Sequence, residues 1–114
     1  MNPSTNTSDG ERNPYVWATV GENDLAIFSR HLKNFVPPDS FDAHAHLWRV
    51  VDLGTPTPAL AAAGPAEVTR HVYDERVAQW MPERCPTGGL FFPFPTRTLN
   101  VDGANDFLAA QVQA

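Results

Sequence analysis

The sequence predicts an α/β fold built on a parallel sheet, and three observations lead there. Apolar residues recur at helical spacing in three stretches, and between them lie short runs of aromatic and β-branched residues suited to strands. The resulting order is helix, strand, helix, strand, helix, the order in which crossover helices join parallel strands. Proline punctuates most junctions: 11 prolines in 114 residues are nearly double the usual share of about 5%, so much of the remainder is loop.

Residues 1–14 are rich in Asn, Ser, Thr and Asp and almost free of apolar side chains. They cannot bury enough surface to offset the cost of ordering and are expected to form a disordered tail, leaving residues 15–114 as one domain. From Glu22 to Phe35, Leu25, Phe28, Leu32 and Phe35 repeat at helical spacing. Glu22 and Asp24 lie in the first turn and Arg30 and Lys33 near the end, as the helix dipole favours, and Pro37-Pro38 stops the helix. Phe41 to Val51 reads as a buried strand, framed by Pro-Pro-Asp-Ser before it and Asp-Leu-Gly-Thr-Pro after it.

Asp52 to Gly64 is broken by glycine and proline and is too long for a simple turn, which suits a functional loop or lid. A second helix is expected from Pro65 to Met81, with proline in its first turn and Val68, Val72, Val77 and Trp80 turned inward. Gly89 to Phe92 makes a short strand that stops before Pro93-Phe94-Pro95, because proline cannot donate to a ladder. Its end is a rigid mouth. Asp102 is placed to cap a last helix carrying Ala104, Phe107, Leu108 and Val112.

Composition narrows the function. A net charge of −5 and a pI near 5.1 leave no basic stripe for phosphates, so neither nucleic acid nor an anionic membrane is an expected partner, and a small molecule is. No apolar run approaches the roughly 20 residues of a membrane span, and the opening residues have neither a basic nor an apolar signal region, so a soluble, cytoplasmic protein is expected. Cys85 is the only cysteine, which excludes an internal disulfide and a cysteine-cluster zinc site, and it reads as an incidental thiol.

The chemistry concentrates in Asp42-Ala43-His44-Ala45-His46. On a regular strand Asp42, His44, His46 and Trp48 share one face, and Phe41, Ala43, Ala45 and Leu47 the other. Two histidines one residue apart stand about 6.6 Å apart at their backbones and can converge on one ion, so the pair is a candidate metal clamp. The alternative is a pair of hydrogen-bonded core histidines, although two polar rings on one strand face are costly to bury without a purpose. Asp42 lies one step deeper and is assigned support of a ligand rather than ligation. His31 and His71 have no metal-spaced neighbour and read as surface residues.

The residues after the pair separate known contexts. A cupin would place a glutamate soon after the second histidine, where Val50 and Val51 stand, and a metallo-β-lactamase-like hydrolase would continue with aspartate and histidine, where Trp48 and Arg49 stand. Phe41-Asp42-Ala43-His44-Ala45-His46-Leu47-Trp48, followed by the strand end Phe92-Pro93-Phe94-Pro95, resembles the opening of the amidohydrolase superfamily, in its amidohydrolase-related branch of single-metal hydrolases and decarboxylases. The resemblance spans roughly residues 22 to 113.

What it implies is a (β/α)8 TIM barrel, in which this chain supplies an N-terminal helix and the first two βα units of a fold that typically needs about 250 residues. His44 and His46 become the first two ligands of a divalent metal, commonly zinc, with further histidines and an aspartate on later strands. The reaction implied is attack of metal-activated water on a carbonyl carbon, or a related decarboxylation, on a small-molecule substrate. Trp48 and Arg49, at the carboxyl end of the first strand, are either substrate contacts or, respectively, packing and a solvated head. The incomplete barrel is expected to be inactive alone and to leave apolar edges that favour a homo-oligomer. A small non-catalytic metal-binding or interaction module is the alternative.

Overall fold

A computed structural model describes residues 19–113, and there the chain is a mixed α/β molecule with a small parallel sheet. The expected tail at residues 1–14 lies outside the described residues. Helix α1 (Glu22–Ile27) opens with the Asp24 carboxylate accepting from the Gly21 amide at 2.9 Å. It runs into a wider turn, Phe28–Leu32, where the Lys33 amide reaches back five residues to the Phe28 carbonyl at 2.8 Å. That extra residue per turn rotates the expected stripe out of line. Phe28 is buried, whereas Leu32 and Phe35 are exposed, Phe35 by 81%.

The strand expected over Phe41–Val51 is split. Strand β1 (Phe41–His46) ends at His46, and β2 (Trp48–Arg49) turns away into a 3-10 turn at Val50–Asp52. β2 pairs antiparallel with β3 (Glu67–Val68), Trp48 opposite Val68 and Arg49 opposite Glu67. The residues read as the first turn of the second helix are thus taken by this ladder. The loop before them holds the short α2 (Ala59–Ala63), which buries Ala61. Helix α3 (Arg70–Trp80) starts only after Thr69, whose hydroxyl accepts from the Val72 amide at 3.2 Å. Val68 is buried as expected, but on a strand rather than a helix, whereas Trp80, expected to face inward, sits at an exposed helix end.

Strand β4 (Gly88–Phe92) lies parallel to β1, joined to it through the α3 connection. Helix α4 (Val101–Val112) is capped by Asn100, whose side chain accepts from the Gly103 amide at 3.2 Å. Asp102, expected as the cap, lies in the first turn instead, where its charge still suits the dipole. Ala104, Phe107 and Leu108 point into the core, and Val112 is exposed. The core gathers Leu47, Trp48, Leu53, Ala61, Val68, Phe107 and Leu108.

The loops after β1 and β4 are laced together. The Leu53 carbonyl accepts from the hydroxyls of Thr96 and Thr98 at 2.7 and 2.8 Å, and the Asp52 carbonyl from the Asn100 amide at 2.7 Å. Gly54 follows at φ +74°, so close to Thr98 that an added Cβ would fall 2.4 Å from its Cβ. Only glycine fits both constraints. No helix among the described residues is long and apolar enough to cross a membrane.

One irregularity matters for the site. Asp42 pairs with Gly89 and Ala45 with Phe91, so three steps along β1 match two along β4, and β1 carries an extra residue between Asp42 and Ala45. Paired residues of parallel strands share a face, and so do Gly89 and Phe91, which places Asp42 and Ala45 together. Asp42 therefore leaves the histidine face on which regular alternation would put it.

Candidate metal centre

His44 and His46 are brought together on the face that also carries Phe92. Their Nε2 atoms are 3.1 Å apart and their ring centroids 4.8 Å, with the Phe92 ring 5.6 Å from His44. Two nitrogens bound at about 2.0–2.1 Å to one tetrahedral ion stand roughly 3.3 Å apart, so the pair already has nearly the bite of two zinc ligands. His44 is exposed and His46 half-buried, which leaves the point of convergence open to solvent.

His46 is oriented from the end of β4. Its Nδ1 lies 3.0 Å from the Pro93 carbonyl oxygen, which only accepts, so Nδ1 carries a proton, and a neutral ring so held presents a bare Nε2. That lone pair matches a proton on His44 Nε2, 3.1 Å away. For an ion to sit between the rings, His44 must move its proton to Nδ1. The Phe-Pro-Phe-Pro strand end thus supplies an aiming carbonyl at Pro93, and Phe94 supplies a wall, 6.2 Å from the His46 ring and 5.3 Å from the Trp48 ring.

Asp42 acts from behind the sheet. One carboxylate oxygen accepts from the Tyr73 hydroxyl of α3 at 2.6 Å and the other from the His44 amide at 3.0 Å. Burial, and then the bond to Asp42, push the Tyr73 pKa well above its ordinary value, so the phenol stays a donor. Tyr73 was not legible as a partner, because nothing in its helical spacing marks it off from Val72 and Val77.

Trp48 is buried, 8% exposed, in the core beside Val68. It also borders an apolar cleft of about 280 Å³ that it shares with His46, Val72, Tyr73 and Trp80. Arg49 turns away from the pair. Its Nε and Nη2 donate to the two carboxylate oxygens of Asp52 at 2.8 and 3.1 Å, and its guanidinium lies 5.4 Å over the Phe107 ring. Those bonds raise the Arg49 pKa further and commit its charge to Asp52, which is 3% exposed. Asp52 opens the stretch that glycine and proline mark as a loop, and its place three residues after Arg49 is the sequence signal for this pair.

His31 lies exposed in the wide turn after α1, and His71 lies exposed on α3, 3.4 Å from Glu75. Cys85 is half-buried, its thiol 3.7 Å from the Met81 carbonyl. Among the described residues, no group of three or more His, Cys, Asp and Glu side chains stands ready to hold an ion, so the imidazole pair fits two positions of a four-ligand shell. Comparison with protein-family models, curated proteins and solved structures finds no match to this chain.

Proposed function

We propose that this chain is the N-terminal part of a metal-dependent hydrolase of the amidohydrolase type, comprising the first two βα units of a (β/α)8 barrel. In this reading His44 and His46 are the first two ligands of a divalent ion, with zinc the natural match for imidazole. The observation that carries it is the 3.1 Å approach of the two Nε2 atoms, at the carboxyl end of a strand in a parallel pair, the end where barrel enzymes gather their chemistry.

A divalent ion there would supply Lewis acidity and a water activated near neutral pH. This chain's own residues hold and aim. Pro93 fixes the tautomer of His46, Asp42 supports the His44 backbone, and the cleft beside Trp48 gives His46 an apolar flank. Arg49 belongs to the scaffold through Asp52. The substrate is a small molecule with a carbonyl or carboxyl centre, and attack on it or decarboxylation awaits the ligands and proton shuttle that the resemblance assigns to later strands.

Calorimetric zinc titration tests the ligand assignment. The chain should bind zinc weakly, with water completing the shell, and His44→Ala or His46→Ala should abolish that binding while His31→Ala and His71→Ala leave it intact. Equal loss from His71→Ala would refute the assignment. Tight stoichiometric binding by the chain itself would instead mean that it completes a site on its own, as a small metal-binding module would.

A further inference from the structure

We infer that Tyr73 is a positioning residue for the metal pair, acting through Asp42 as a latch that holds His44 in line with His46. The inference rests on the metal-pair reading and extends it to α3. The two imidazoles take their positions from different elements. His46 is aimed through its ring by the Pro93 carbonyl at 3.0 Å, whereas among the described residues the polar contact of the exposed His44 ring is His46 itself. What fixes His44 is its backbone. Its amide donates to Asp42 Oδ1 at 3.0 Å, within the segment where β1 carries one residue more than β4.

Such a bulge is a local irregularity that a side chain can stabilise by accepting the amide it frees from the ladder. Asp42 can do this only while its carboxylate is turned to the helix side, and the Tyr73 hydroxyl holds it there at 2.6 Å. Tyr73 is seated in turn by an edge-on contact with Phe91, 5.2 Å between centroids, on the strand that pairs with β1. The chain of contacts therefore runs from α3 through one carboxylate to the backbone of one ligand, and leaves the other ligand to β4. Supports of this kind commonly change metal affinity by about 10–100-fold when removed.

The test uses the full chain and the variants Tyr73→Phe, Asp42→Ala and Asp42→Asn, with cobalt(II) binding followed by visible absorption and ¹⁵N imidazole spectra recorded without metal. Tyr73→Phe and Asp42→Ala should weaken cobalt binding by about tenfold. Asp42→Asn should keep most of the affinity, because its carbonyl still accepts from the His44 amide while its amide group donates to the Tyr73 oxygen. In the metal-free spectra, Tyr73→Phe should release His44 from its Nε2–H form into the tautomer mixture of a free imidazole and leave His46 protonated on Nδ1. An unchanged His44 signal, or an equal disturbance of both histidines, overturns the latch and leaves Tyr73 a packing residue. Should Tyr73→Phe fail to fold, Asp42→Ala against Asp42→Asn reads the same latch from the strand. A wild-type chain that binds no cobalt defeats the metal reading, and the imidazole spectra still decide the latch.

Discussion

On one side of the β1–β4 pair, Asp42 meets Tyr73, Phe91 packs against Tyr73 and Arg70, and Ala45 is buried. On the other, Phe41, His44, Leu90 and Phe92 are exposed and His46 is half-buried. The first side is packed: α3 covers it, and Val72, Tyr73 and Phe91 lie half-buried against the core. The second carries the two imidazoles and contributes little burial. A strand that serves both needs a device to keep them apart, and the extra residue before Ala45 does so by sending the Asp42 carboxylate to the structural side and both imidazoles to the open one.

The comparison can be broken first at the core. Leu53 is fully buried between the two laced loops, and Leu53→Ala should cost about 2–5 kcal/mol in urea unfolding. A loss under half of that range would mean that the core is not where stability resides. Gly54→Ala comes next. Any side chain at φ +74° costs about 1–2 kcal/mol before its clash with Thr98 is counted, so the midpoint should shift by at least that much, with little change in the denaturant slope.

A smaller effect should appear in alkali. Because the folded Tyr73 pKa is raised, the unfolded chain releases that proton first, so its contribution is intact below the ordinary tyrosine value of 10.0 and falls as pH rises toward the folded value. Tyr73→Phe should flatten this part of the pH–stability profile. An unchanged alkaline slope would show that the phenol is not held by Asp42. The smallest change is expected on the open face, where Phe92→Ser should alter stability by less than about 0.5 kcal/mol yet reduce self-association in sedimentation.

The legible parts of the molecule were those fixed by local pattern. Two parallel strands with helices between and after them follow from periodicity and proline, and β4 and α4 lie within a residue or so of their expected bounds. The illegible parts were set by contacts between distant segments. Nothing in the apolar run through Leu47 announces that Trp48 and Arg49 leave β1 to pair with Glu67 and Val68. A bulge has no signature in Asp42-Ala43-His44, so alternation put Asp42 on the wrong face. The histidine pair was visible because its spacing is itself the chemical statement, whereas Tyr73 and Pro93 support it across separations of 31 and 47 residues.

The central claim is that His44 and His46 form a two-imidazole clamp for one ion. X-ray absorption at the zinc edge of the zinc-loaded chain tests it most directly. The account predicts a first shell of nitrogen and oxygen at about 2.0–2.1 Å in which two imidazoles scatter, a signature that is lost with zinc binding itself in His44→Ala. A sulfur shell near 2.3 Å would point to Cys85, and an imidazole count unmoved by His44→Ala would place the ion elsewhere. Either result would contradict the account.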